Sequence, residues 1–241
     1  MNQPDVPRVL LASTIILALM TLVIPLSFAQ PALGAIEGRV TFAGTPPPAV
    51  MAEEGPQPVL YVDDSGGLRY VVVFLPDARP DHVSTGTVAT MRQRHFIFEP
   101  QVLAVGAGQT VRFTNDDPAN HNVRSRDPNP LNRFSVSTAA GAVGSATHRF
   151  VATPPDRPIE LSCDIHSWMT AWVYVFDHRQ FAVTDAGGRF RIDDIPPGHY
   201  RLSVRQPAGR LQCELVADVT AGRTTSIDVG FNAADVGMPS R

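Results

Sequence analysis

The chain has 241 residues and a formal net charge of −3. That length holds one large or two small domains, and the charge excludes the basic stripe or patch of a nucleic-acid binder. All 20 basic residues are arginine, and the 22 prolines and 18 glycines follow no repeat period, so collagen-like and low-complexity readings fail.

Val9 to Leu26 is apolar apart from Ser13, Thr14, Thr21 and a break at Pro25. With Arg8 before it and Ser27-Phe28-Ala29 after it, residues 1–29 read as a secretory signal peptide cut after Ala29. The alternative is an uncleaved anchor, because 18 residues is just long enough to span a bilayer, and only that case puts the chain on a membrane. Both readings place the remainder outside the cytoplasm, periplasmic or exported.

Short alternating runs without long helical patterns predict an all-β protein. A strand from Gly34 closes at Gly44, and the Pro/Glu-rich stretch from Thr45 to Pro58 reads as loop. Tyr70 to Leu75 is an apolar run, a buried strand ended by Pro76. Phe96 and Phe98 alternate before Pro100, Val102 to Val105 is a short strand, and Gly106 to Gly108 a turn. Val111 to Thr114 alternates until Asn115-Asp116-Asp117-Pro118 breaks it. Ser135 to Ala146 is rich in Ser, Ala and Gly and reads as a mobile surface loop. Ile159 to Cys163 alternates, with Ile159, Leu161 and Cys163 inward. Ala171 to Phe176 is apolar or aromatic on both faces, as suits a strand covered on both sides in a core or at a domain junction. From Phe181 onward, turns at Thr184–Gly188, Pro196–Gly198 and Val219–Arg223 separate further strands in a run of hairpins.

The chemistry-bearing segment is Cys163-Asp164-Ile165-His166-Ser167-Trp168-Met169. Three potential metal ligands recur at intervals of three, which lets each side chain of a wrapped loop turn toward one point. A thiolate, an imidazole and a thioether are soft or borderline donors suited to copper, and two His, one Cys and a long axial Met form the ligand set of blue-copper sites. The second His must come from elsewhere, and His121, after a strand and a turn, is the candidate. Singly, a Cys, a His or a Trp is an ordinary core residue; the constellation decides. Zinc is poorly matched by a Met donor. A Cys163 nucleophile with His166 as base lacks an adjoining oxyanion-forming Gly cluster. His82, His95, His148, His178 and His199 show no close pairing and read as surface or structural. Exported chains with two cysteines invite a disulfide, yet Cys163 belongs to the metal cluster. Cys213 shares a strand face with Leu215, Ala217 and Val219, an ordinary buried thiol.

The order Val111-Arg112-Phe113-Thr114-Asn115, then His121-Asn122-Val123, then Cys163, His166 and Met169 resembles the cupredoxin (type 1 blue copper) family. The likeness is to its amicyanin and plastocyanin branch, with the short Cys-to-Met loop most similar to amicyanin. It covers about 80 residues, Phe98 to Val175, and includes every ligand. The resemblance implies a Greek-key β-sandwich with one type 1 copper per chain, His121, Cys163 and His166 as strong ligands and Met169 as the weak axial one. It implies that Asn122 pins the ligand loops, and that electrons leave through His166 in a patch with Trp168 and Ile165. It implies a redox-protein donor and acceptor, such as a dehydrogenase and a c-type cytochrome. The sequence departs from the family at Leu161, where an aromatic is usual, at the Pro154–Pro158 turn, and at Asp164, which puts fine tuning rather than metal type in doubt. Arg124, Arg126 and Arg133 read either as a basic docking edge or as a solvated loop.

Residues around Gly34–Val40, Thr184–Phe190 and Ile195–Tyr200 resemble carboxypeptidase-regulatory-like β-sandwich domains in their turn chemistry. The expected organisation is a signal peptide at 1–29, a discontinuous accessory sandwich at 36–80 and 178–232, a cupredoxin-like copper domain at 87–177, and a flexible tail at 233–241. Insertion at an exposed hairpin is structurally cheap; alternatively, residues 36–80 extend the sheets of the copper domain. The expected function is one-electron transfer without catalysis. The rivals are a copper storage or delivery protein and a β-sandwich binding or adhesion module.

Overall fold

The computed structural model describes residues 32–81, 83, 86–141 and 146–237, which belong to one compact unit. The expected signal peptide lies outside the described residues. The strands in chain order are β1 (Gly34–Ala43), β2 (Val50–Ala52), β3 (Gly55–Gln57), β4 (Val72–Phe74), β5 (Ala89–Arg94), β6 (Ile97–Glu99) and β7 (Val102–Gly106). There follow β8 (Thr110–Asn115), β9 (His121–Ser125), β10 (Phe134–Thr138), β11 (Ala146–Arg149), β12 (Ile159–Ser162) and β13 (Thr170–Phe176). The last six are β14 (Phe181–Val183), β15 (Arg189–Ile195), β16 (Gly198–Gln206), β17 (Leu211–Val219), β18 (Thr224–Ser226) and β19 (Val229–Asn232). Helical structure among the described residues is confined to two short 3-10 turns, so the protein is all-β.

Besides the two-stranded β2–β3 hairpin, the described residues form four larger sheets. In the first, β1 lies between β15 and β18 and also pairs with β19; the second runs β14-β4-β16-β17. The third runs β10-β9-β12-β13-β7 and the fourth β11-β8-β5-β6. One core, built on Ile36, Val40, Val71, Val73, Leu202 and Val204, fills the space between the first two sheets. A second, built on Met91, Phe113, Val123, Leu161, Val173 and Val175, lies between the third and fourth.

Two strands tie the sandwiches together through the alternation of side chains across a strand. Around β4, Val71 and Val73 face the first core while Val72 and Phe74 face away. Along β13, Ala171, Val173 and Val175 face the second core while Tyr174 and Phe176 face away. The outward faces meet in a third buried cluster, where the Phe74 ring lies 5.1 Å from Phe176 and 6.4 Å from Tyr174. Both strands are covered on both faces, which explains their nearly unbroken apolar sequence. Gly38 sits where β1 passes from its β18 partner to its β19 partner; a Cβ there would come within 1.8 Å of the Ile227 carbonyl oxygen.

Three segments depart from the sequence reading. The expected loop from Thr45 to Pro58 contains the small hairpin β2–β3, turned at Glu53-Glu54 and entering β3 at Gly55 with φ 114°. The expected mobile loop from Ser135 begins instead in β10, which pairs with β9 from Phe134–Ser125 to Thr138–His121. Its Ser and Val residues alternate along an edge of the sheet, a pattern that the small-residue composition hid. Of the expected tail, Ala233–Asp235 form a 3-10 turn capped by Asn232, and the Gly237 amide donates to Gly209.

Phe74→Ala is expected to lower the unfolding free energy by about 3–5 kcal/mol, because Phe74 is fully buried in the layer shared by both sandwiches. Val216→Ala, at a site that is 76% exposed, should change it by no more than about 0.5 kcal/mol. Urea unfolding followed by fluorescence measures both.

Candidate metal centre

Strand β9 opens with His121, and β12 delivers Cys163 one residue past its end. The two strands are neighbours in the third sheet, with Leu161 opposite Ser125. The chain then turns back into β13 through a closed loop. The Met169 amide donates to the His166 carbonyl at 3.0 Å, and the Cys163 amide to the Met169 carbonyl at 3.2 Å. These bonds carry His166 back over the end of β9.

The outcome is a compact triangle of donors. His121 Nδ1 and His166 Nδ1 are 2.8 Å apart, and Cys163 Sγ lies 4.0 Å from the first and 3.7 Å from the second. His121 is 1% and Cys163 3% exposed, while His166 is partly exposed. Two nitrogens held by one ion at about 2 Å can be at most about 4 Å apart, and a nitrogen and a sulfur at most about 4.3 Å. All three observed separations fall inside these limits, so His121, Cys163 and His166 can hold one metal ion. Met169 is buried in the same core cluster as Cys163 and bonded to the loop through both its backbone groups.

Asp117, four residues before His121, organises the centre. Its Oδ2 lies 2.9 Å from His121 Nε2. A carboxylate only accepts hydrogen bonds, so Nε2 carries the hydrogen and Nδ1 presents a lone pair to the cluster. Carboxylate-to-His contacts of this kind fix the tautomer and orientation of metal-binding imidazoles. Two ring nitrogens 2.8 Å apart are placed to share a proton or to face a common cation. Burial, reinforced by the neighbouring His121, lowers the pKa of His166, which favours the neutral imidazole that a metal requires.

The same carboxylate holds the turn between β5 and β6. His95 and Phe96 form that turn with φ values of 57° and 56°. This left-handed backbone normally calls for Asn or Gly in a tight hairpin, and costs on the order of 1 kcal/mol for each other residue. Asp117 Oδ1 accepts from the His95 amide at 2.7 Å and Oδ2 from the Phe96 amide at 3.0 Å. Held this way, the Phe96 ring stands edge-on to both imidazoles, at 5.5 Å from His121 and 5.2 Å from His166. Trp168 closes the other side; its Nε1 donates to the Phe96 carbonyl at 3.0 Å and its ring lies 5.4 Å from His166.

Asn122 bridges the two ligand segments by its side chain. Oδ1 accepts from the Asp164 amide at 2.7 Å, and Nδ2 donates to Asp164 Oδ2 at 2.9 Å. Asp164 also pairs with Arg124 at 3.0 Å and Arg126 at 3.2 Å. Partial burial opposes its ionisation, but the bonds from Asn122 and Arg124 and the two guanidinium charges outweigh that and lower its pKa. Arg133 donates to the carbonyls of Asp127 and Pro128. All three arginines thus make contacts within the protein, and Arg126 keeps 68% of its side chain exposed. Cys163 and Cys213 are both free thiols.

No protein-family model and no curated protein matches this chain. Among solved structures, it is similar to a purple cupredoxin from Nitrosopumilus maritimus, with 24% identity over 36% of this chain and 99% of that one, at a TM-score of 0.31. An amicyanin from Paracoccus versutus matches at 14% identity over 43% of this chain and 97% of its own, at 0.29. A copper-containing nitrite reductase from Thermus scotoductus matches at 16% identity and 0.33, over 57% of this chain and only 28% of the reductase. Each of these structures is similar to part of this chain.

Asp117 was visible in sequence only as part of a strand-breaking turn; the signal was its spacing, four residues before a candidate ligand. Asp117→Ala should weaken metal binding by about 10–100-fold, although it removes none of the three donor side chains. Competition against a chelator of known affinity measures the loss.

Proposed function

We propose that the protein is an exported electron carrier holding one copper ion, with His121, Cys163 and His166 as equatorial ligands and Met169 as a weak axial ligand. The observation that carries this reading is the convergence of two imidazole Nδ1 atoms and one cysteine sulfur within 4.8 Å at the buried end of a β-sandwich. A thiolate with two imidazoles and a thioether in the same loop favours copper over zinc. Copper bound there supplies a Cu(II)/Cu(I) couple.

The protein's own contribution is to keep the donors still. Asp117 holds His121, the two backbone bonds of the loop hold Met169 and Cys163, and Phe96 packs against both rings. Such a frame leaves the ligands little to rearrange between oxidation states. His166 is the partly exposed donor, and its neighbour Ile165 is 59% exposed. A small apolar patch around His166 suits a brief encounter with a donor or acceptor protein. The reading places the protein in the periplasm, where its partners would be redox proteins.

Adding Cu(II) to the purified chain without residues 1–29 should produce strong visible thiolate-to-copper absorption and a narrow EPR hyperfine splitting. Cys163→Ser should abolish the colour. Met169→Leu should retain copper and raise the reduction potential, and an unchanged potential would remove Met169 from the ligand set. A wild-type protein that stays colourless after copper loading overturns the proposal.

A further inference from the structure

The fourth sheet turns one face to the second core and the other to solvent. Along β5, β8 and β11 the inward positions hold Met91, Val111, Phe113 and Ala146. The outward positions alternate with them and are polar, as a sheet covered on one side requires. Arg92 and Arg94 on β5, Arg112 on β8 and Arg149 on β11 are all exposed there. The other outward residues of these strands are Thr90, Thr110, Thr114 and Thr147.

The register sets the arginines in a row. Arg149 pairs with Thr110, and Arg112 stands two residues farther along β8. Arg92 pairs with Thr114, two residues beyond Arg112, and Arg94 follows two residues later on β5. The row therefore crosses three strands on one diagonal, and it ends at the β5–β6 turn. Diagonal neighbours on a sheet are roughly 7–8 Å apart. The Debye length at physiological salt is about 8 Å, so these like charges repel one another.

Nothing within the described residues offsets that repulsion. None of these arginines makes an ion pair there, and Glu99, opposite Arg92 in register, does not reach it. Arg149 Nε donates to Thr110 Oγ1 at 3.2 Å, a bond to a neutral group. Elsewhere Arg124, Arg157, Arg191, Arg201 and Arg205 each meet a carboxylate. Every basic residue of the chain is an arginine, so residue type carries no information here; the placement does. The net charge of −3 conceals the row because it sums over the whole chain.

We propose that this row binds an extended acidic segment of a partner protein, with carboxylates at every second residue. In an extended chain alternate side chains share a face and lie about 6.8 Å apart, close to the spacing of the diagonal. Guanidinium groups hold carboxylates through paired hydrogen bonds, and the flanking threonines leave the row one charged side chain wide. A line of negative charge fits that shape better than a charged plane such as a membrane. No candidate metal donor belongs to the row, so the binding stands or falls separately from the electron-carrier reading.

A short labelled peptide of alternating Glu and Thr is titrated into the full chain, and fluorescence anisotropy reads the binding. Saturable binding is expected at about 0.01 M salt, weakening about tenfold at about 0.15 M as the Debye length shortens. A peptide of the same composition with its Glu residues in one block should bind about two- to fivefold more weakly, because an extended block turns every second carboxylate away. Arg112→Gln should weaken the alternating peptide by a similar factor, and replacing Arg92, Arg112 and Arg149 together by Gln should abolish saturation. Arg223→Gln, at an exposed arginine of the β17–β18 turn, should change nothing. Absence of saturation at low salt, equal binding of the two peptides, or an Arg223→Gln loss as large as that of Arg112→Gln would overturn the proposal. So would tighter binding of oligothymidylate or of phosphatidylglycerol vesicles that Arg112→Gln removes, which would assign the row to a nucleic acid or a membrane. The peptide comparison in the unaltered chain decides the matter even if a variant does not fold.

Discussion

Two oxygens of one carboxylate set the geometry of the candidate metal centre. Asp117 accepts from the His95 amide, the Phe96 amide and His121 Nε2. It therefore fixes in one place the tautomer of a donor, a left-handed turn and the aromatic ring packed on two donors. Asn115 presents Asp117 in turn. Its Oδ1 accepts from the Asp117 amide at 3.0 Å, while Nδ2 donates to the carbonyls of Ala119, Thr138 and Ala139. Loss of Asp117 would leave two amides and an imidazole N–H without their acceptor, each costing about 1–3 kcal/mol if it stayed buried. Strained backbone of this kind persists only where the surroundings over-determine it, and here a single side chain determines both the strained turn and the ligand.

Rigidity at the cluster also descends from the layering of sheets. β13 carries the ligand loop at its start, the second core on one face and the aromatic layer on the other. Moving the end of β13 would disturb Val173 and Val175 in one core and Tyr174 and Phe176 in the other cluster. The first sandwich thus braces the strand that anchors the donors, through Phe74 and β4. Close-packed interiors transmit such constraints because they have little free volume to absorb them.

Much of this was legible in the chain. The spacing of Cys163 and His166, the position of His121, and the two-faced apolar run of Ala171 to Phe176 point to side chains that the structure brings into one cluster and one doubly covered strand. What sequence hid were features whose signals depend on partners far along the chain. His95-Phe96 has none of the residues that announce a tight hairpin; its conformation is imposed by Asp117, 21 residues or more away. β10 was masked because Ser and Ala suggest loop, although pairing with β9 makes it an edge strand. Arg124 and Arg126 read as free charge because their partner, Asp164, is 38 residues or more distant in sequence.

That last pairing bears on the face around His166. An uncompensated carboxylate one residue after Cys163 would add negative charge beside the cluster. Instead Asp164 meets two guanidinium groups and the amide of Asn122, so much of its field is cancelled locally. The side chains are between 38% and 68% exposed, and pairs of that kind contribute little to stability. Their consequence is therefore positional. They hold Asp164 turned toward β9 and away from Ile165, which leaves an exposed apolar side chain beside the one donor that reaches the surface. The carboxylate of Asp164 is in this way absorbed by its own neighbours, Asn122 and Arg124, which follow the candidate ligand His121 in the same strand.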